Sequence, residues 1–185
     1  MEVQLVRHPI SPVPAIEGIR VQASRPTEVR LSLKFIVTGD ISSIVVPGLT
    51  PTEGRADDLW QTTCFEAFVR RPDGDQYVEF NFSPSTQWAA YVFDGYRMGR
   101  RNLGTATMPR FDIRAGGDAF ELGVVLDLAD TVNGWRSGDL LLGLSAVIET
   151  QNRQKSYWAL KHPPGDPDFH HGDCFAAVLR APGAA

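Results

Sequence analysis

Two cysteines, three methionines and four histidines are the whole complement of soft or imidazole side chains in this 185-residue chain. Cys64 and Cys174 match no metal-motif spacing and are too few for a disulfide framework, so both are expected as small apolar core residues. No apolar run approaches the roughly 18 residues of a membrane-spanning helix. The opening stretch, MEVQLVRHPISPVPAIEG, has no apolar leader segment. A cytoplasmic location without membrane association is the expectation. An excess of basic residues is lacking too: the net charge is −4, and Arg100-Arg101 is the one obvious basic pair near the middle. Nucleic acid is therefore not expected as a partner. Phosphate-binding loops are missing, because PDGD and RAGGD are turn sequences without a strand-to-helix context. No segment keeps a helical period for three turns, and only LADTVNGW (128–135) has room for one short helical turn.

What the chain does have is strands. VQLVR (3–7), IRVQAS (19–24), EVRLSLKFIV (28–37), SSIVV (42–46), CFEAFVRR, QYVEFNF and QWAAYVF are short runs rich in β-branched and aromatic residues. FDIRA (111–115), DAFELGVVLDL (118–128), LLLGLSAVIE (140–149), SYWAL (156–160) and CFAAVLR (174–180) continue the series. Pro, Gly and Asp punctuate them at short intervals. The reading is a single all-β domain over residues 1–185, a two-sheet antiparallel β-sandwich of jelly-roll or immunoglobulin-like type. Two long polar loops, 47–58 and 162–173, stand out as places where function could sit.

One hairpin is unusual. In CFEAFVRRPDGDQYVEFNF (64–82), a primed turn centred on Asp73-Gly74 sets Glu66 opposite Asn81, Phe68 opposite Glu79 and Arg70 opposite Tyr77. The other face then pairs Phe65 with Phe82, Ala67 with Phe80 and Val69 with Val78, an apolar set suited to a core. The next strand has two possible registers. With Phe82 facing Trp88, Asn81 neighbours Ala89 and Glu79 neighbours Tyr91; a one-residue shift puts Trp88 beside the acids instead. An ordinary solvated sheet face would explain Glu and Asn there. Yet Phe68, Tyr77 and Tyr91 share that face, and aromatic rings mixed with carboxylate and amide suit a small polar ligand such as a sugar.

DDLWQTTCFEAFV, with Asp57, Asp58, Trp60 and Glu66, followed by YVEFNFSPSTQWAAYVFDGY, resembles bacterial DOMON-like proteins, which are similar to the family-nine carbohydrate-binding modules. The tail SYWALKHPPGDPDFHHGDCFAAVL looks like the same group, and the resemblance runs from about residue 28 to 180. It implies a β-sandwich and noncatalytic binding of a saccharide between two tryptophans. Trp60 and Glu66, six residues apart, take the places of the first tryptophan and its acid. Trp158, after Gln151-Asn152-Arg153-Gln154, takes that of the second ring. Where relatives often carry an acid between tryptophan and glutamate, sometimes for calcium, this chain has Thr62-Thr63-Cys64.

The expected ligand-binding set is thus Trp60 and Trp158 for stacking, with Glu66, Glu79 and Asn81 for hydroxyls. Arg97 and His170 are candidates for the rim. No cofactor and no metal are expected. Three other readings compete. Glu66 and Glu79 could serve a glycoside-type hydrolase as an acid/base pair. His162, His170 and His171 among Asp166, Asp168 and Asp173 could hold a divalent metal, although adjacent histidines on an extended chain point to opposite sides. Met98 with a histidine could ligate haem. A structural, partner-binding β-module is the remaining alternative.

Overall fold

The computed structural model describes residues 1–12, 16–48, 54–104, 108–129 and 138–183. Its strands are β1 (Glu2–Arg7), β2 (Ile16–Thr27), β3 (Arg30–Gly39), β4 (Cys64–Arg70), β5 (Tyr77–Phe82) and β6 (Trp88–Phe93). They continue with β7 (Arg101–Asn102), β8 (Arg110–Gly116), β9 (Ala119–Asp127), β10 (Leu140–Glu149), β11 (Lys155–Ala159) and β12 (Ala177–Leu179). Every strand pairing is antiparallel. The ladder runs β7-β6-β5-β4-β10-β11-β1-β2-β3-β9-β8, with β12 added to β10. The first half of β1, Glu2 to Leu5, pairs with β2, and its second half, Val6 and Arg7, pairs with β11. That shared strand makes the ladder one continuous, strongly curled sheet.

Curling is driven by what the two ends bury against each other. Alternation sends Leu31, Leu33, Phe35 and Val37 of β3 inward, with Phe120, Leu122, Val124 and Leu126 of β9. From the other end come Phe65, Ala67 and Val69 of β4, Val78, Phe80 and Phe82 of β5, and alternate residues of β10 from Leu140 to Ile148. Phe65 joins the halves, its ring 5.1 Å from that of Phe35 and 6.0 Å from that of Phe120. Each of the Val, Leu, Ile and Phe side chains among them contributes about 1.5–3 kcal/mol when fully buried.

The hairpin register is the one that alternation predicts: Phe65–Phe82, Glu66–Asn81, Ala67–Phe80, Phe68–Glu79, Val69–Val78 and Arg70–Tyr77 are partners. The turn differs from expectation. Neither Asp73 nor Gly74 has positive φ, so it is not a primed turn. The connection leaves 71–76 unpaired but stays centred on 73 and 74, which keeps the register. Of the two registers open for β6, the chain adopts Phe82–Trp88, Asn81–Ala89 and Glu79–Tyr91, and Trp88 packs in the core.

SSIVV is not a strand. Asp40 accepts from Ser42 Oγ at 2.5 Å and its carbonyl from Ser43 Oγ at 2.7 Å, holding Ile41–Ser43 as a 3-10 turn. Only Ile44 bridges, to Thr150. Of the anticipated helical turn at 128–135, everything from 130 on lies outside the described residues.

Strands β4, β5 and β6 are buried on both faces except at Arg70, which departs from the solvated outer face an antiparallel sheet commonly has. A second apolar cluster on that outer face, Phe68, Tyr77, Ala89, Tyr91, Phe93 and Phe175, is covered by Leu59 and Phe169 from two loops. Gly143 of β10 permits the close approach: a Cβ there would stand 3.2 Å from both Phe68 Cβ and the Cys174 carbonyl.

Candidate functional site

The outer face of β4, β5 and β10 forms a floor of polar groups. Period-2 alternation brings Glu66, Asn81 and Ser145 side by side, with Glu79 one step along β5. Ser145 Oγ donates to Glu66 Oε2 at 2.8 Å, and Asn81 Nδ2 donates to Glu79 Oε1 at 2.6 Å. Asn81 Oδ1 accepts weakly from Cys64 Sγ at 3.6 Å. All four polar residues of this floor are buried.

Two loops rise over the floor. On one side Asp58 adopts a left-handed conformation, φ 59°, and starts the 3-10 turn Leu59–Gln61. The loop is pinned by Tyr91 Oη, which donates to Asp57 Oδ1 at 2.5 Å, while the Arg100 guanidinium lies 4.1 Å above the Tyr91 ring. Trp60 is left 52% exposed at the mouth. On the other side Asp168 accepts from Arg97 Nη2 at 2.8 Å, Tyr96 Oη at 2.6 Å and the His170 backbone N–H at 3.1 Å. Cys174 Sγ lies 3.1 Å from the Lys161 and Asp168 carbonyls. This loop drops the His170 ring between the edges of Phe68 and Phe93, 5.2 and 5.1 Å away.

Between the loops is a cavity of about 500 Å³. Polar groups line it from Glu66, Glu79, Asn81, Arg97, Arg100 and His170, and apolar wall comes from Trp60, Tyr91, Tyr157 and Phe169. Burial, and then the neighbouring Glu79, push the Glu66 carboxyl up to about 8 from its ordinary 4.5. Glu79 is raised as well, again chiefly by burial, with the Asn81 hydrogen bond, Arg100 and Arg97 pulling the other way. His170 is pushed down to about 4 by burial, with Arg97 and Arg100 adding to the effect. His170 Nε2 lies 3.9 Å from Glu79 Oε2, within ion-pair distance, but a neutral imidazole forms no ion pair near pH 7.

The hydrogen-bond network assigns the tautomer. Tyr77 Oη accepts from the Arg97 N–H at 3.2 Å and stands 2.8 Å from His170 Nδ1. Burial raises Tyr77 to about 12, so its hydroxyl keeps a proton to donate to Nδ1. The imidazole proton then sits on Nε2, facing Glu79.

Trp60, Glu66, Glu79, Asn81, Arg97 and His170 come together around this one cavity. Trp158 does not. It packs in the core, 4% exposed, its Nε1–H satisfied by Ser156 Oγ at 3.0 Å. The expectation that it supplies a second ring to the site is corrected by register: Trp158 pairs with inward-facing Ala146, whereas Tyr157 pairs with Val147 and reaches the cavity. Tyr157, Phe169 and Arg100 were not among the expected site residues. The signal for Tyr157 was the short loop 151–153, with Arg153 left-handed at φ 64°, which sets Glu149 opposite Lys155 and fixes every later pair.

The other histidines of the loop are occupied elsewhere. His162 Nε2 donates to the Val6 carbonyl at 2.8 Å, and His171 Nδ1 accepts from the Asp173 N–H at 3.2 Å. His170 and His171 sit in a turn and go to different places: His170 lines the cavity, while the His171 ring stands edge-on to Tyr96 at 6.3 Å. Among the described residues no group of three or more His, Cys, Asp or Glu is placed to hold a metal ion. Met98 is exposed on its turn and is not part of the cavity lining. Cys64 and Cys174 are buried free thiols. No helix among the described residues is long and apolar enough to cross a membrane.

No protein-family profile matches the sequence, and comparison with curated proteins finds no relative. Solved structures do share the fold. A candidate carbohydrate-binding protein from Bacteroides uniformis ATCC 8492 superposes with a TM-score of 0.70 at 15% identity, covering 98% of this chain and 86% of that one. A family 9 carbohydrate-binding module from Caldicellulosiruptor kristjanssonii in complex with glucose gives 0.55 at 8% identity, over 95% of this chain and 81% of the module. A family 9 module from the same organism in complex with cellotriose gives 0.56 at 9%, over 99% and 84%. The chain is thus an all-β, antiparallel protein with the fold of carbohydrate-binding modules.

Proposed function

We propose that this protein binds a saccharide, without catalysis, in the cavity between Trp60 and the His170 loop. One observation carries the reading: a half-exposed indole stands at the mouth of a cavity floored by buried, planar hydrogen-bonding groups. The apolar C–H face of a pyranose stacks on an aromatic ring, while carboxyl and amide groups take adjacent hydroxyls. A cavity of about 500 Å³ falls in the range of roughly 300–1,000 Å³ usual for small-molecule sites. The fold shared with modules that hold glucose and cellotriose supports the same reading.

In finer terms, the two halves of the curled sheet act as the layers of a jelly-roll-like sandwich, and the chain stands with the DOMON-like proteins. Its two reduced thiols accord with a cytoplasmic location. Hydrolysis is less well supported. Glu66 has the raised pKa of a general acid, but burial moves Glu79 in the same direction, so the two environments do not set the pair apart as an acid and its partner.

The test is tryptophan fluorescence during titration with a broad saccharide panel. A saturable change that disappears in Trp60→Ala supports the reading. Silence across the panel overturns it, and turnover of chromogenic glycosides would favour hydrolysis instead.

A further inference from the structure

Building on the saccharide reading, we infer that the cavity selects a ligand bearing a protonated amine, so that an amino sugar is preferred to its neutral counterpart. Glu66 and Glu79 are 3% and 7% exposed, on adjacent strands, and both line the cavity. Glu66 Oε2 is held by Ser145, while Oε1 has no hydrogen-bond partner among the described residues. Glu79 Oε1 is held by Asn81, and Oε2 has only the neutral His170 Nε2, 3.9 Å away. No lysine or arginine among the described residues lies within 4.0 Å of either carboxyl.

The cations nearby are committed elsewhere. Arg97 is paired with Asp168 at 2.8 Å, and Arg100 lies over Tyr91, 4.0 Å from Asp57. Glu66 is faced by Glu79, Cys64 and Arg97; Glu79 is faced by Glu66, Cys64, Tyr77, His170, Arg97 and Arg100. Of these, Cys64, Tyr77 and His170 are neutral near pH 7. Two buried acids therefore share a cavity with no close counter-cation, a costly arrangement that the free protein relieves by keeping a proton. An ammonium with three donors fits the two open carboxyl oxygens, and the Trp60 and Tyr157 rings that line the cavity favour a cation beside them, the Tyr91 ring being already taken by Arg100. Binding a neutral sugar leaves that proton in place; binding an amine expels it.

Isothermal titration of the full chain with glucosamine, glucose and N-acetylglucosamine separates the possibilities. The expected result is glucosamine bound at least about tenfold tighter than both neutral sugars. Its affinity should rise by up to about tenfold from about pH 6 to about pH 7, because one proton leaves the glutamate pair. The binding enthalpy should vary with the ionisation enthalpy of the buffer, a readout that needs no variant, and the pH slope should vanish in Glu66→Gln. Neutral sugars bound as tightly as glucosamine, or glucosamine bound without proton release, overturn the inference and leave the saccharide reading standing. Binding of none of the three, with no other saccharide of the panel bound, overturns both.

Discussion

Tyr157 and Trp158 are chain neighbours that stand on opposite faces of β11: the first ring lines the cavity and the second lies in the core, hydrogen-bonded to Ser156. The two substitutions should therefore separate cleanly. Trp158→Ala should cost about 3–5 kcal/mol in urea unfolding, the usual range for removing a large buried aromatic. Tyr157→Ala should cost less than about 1 kcal/mol while weakening ligand binding. Equal losses of stability would contradict this assignment of faces.

Trp60 gives a related test with the opposite balance. Its indole is half exposed and contributes little to the core, so Trp60→Ala should shift unfolding by no more than about 0.5 kcal/mol. Saccharide affinity should fall at least about tenfold, since stacking and its buried area are both lost.

The buried acids make stability depend on pH in an uncommon direction. Glu66 titrates near 8 in the folded protein and near 4.5 when unfolded, so between those values the folded state binds more protons. Stability must then fall as pH rises through that window, and Glu79 acts in the same sense. His170, lowered to about 4 from 6.5, opposes this only below about pH 6.5, where the unfolded state gains protons first. Thermal melting should thus show Tm declining from about pH 6.5 to about pH 8. Glu66→Gln should flatten the decline and raise Tm at the alkaline end. A flat or rising wild-type profile would be inconsistent with the buried pair.

Tyr77 joins two elements through one hydroxyl, accepting from the Arg97 N–H and facing His170 Nδ1. Tyr77→Phe leaves both groups without that partner, at a cost of about 1–3 kcal/mol. Hydrogen exchange should quicken over residues 94–98 and 167–172 first. Exchange unchanged there would show that other contacts hold the loop.

Much of the site was legible because its parts are local. Alternation in 64–82 sets the hairpin register, and with it the common face of Glu66, Glu79 and Asn81. Trp60 comes from the resemblance of DDLWQTTCFEAFV to the DOMON-like proteins and not from alternation. What alternation cannot reveal is what covers a face. A polar stripe on β4 and β5 reads as solvated until Phe169, His170 and Phe175 are seen to fold over it from about a hundred residues away. The choice between Tyr157 and Trp158 depended on a loop conformation, since a one-residue slip exchanges the faces of a strand. The single continuous ladder likewise rests on β1 changing partners halfway, a pairing that its short, ordinary sequence does not announce.

The central claim is that a saccharide occupies the Trp60 cavity, and a crystal structure with the tightest binder of the panel tests it most directly. The account predicts a pyranose face against the Trp60 indole, with hydroxyl or amine groups within about 3 Å of Glu79 and Asn81. A sugar bound elsewhere on the protein, with this cavity vacant, would contradict it.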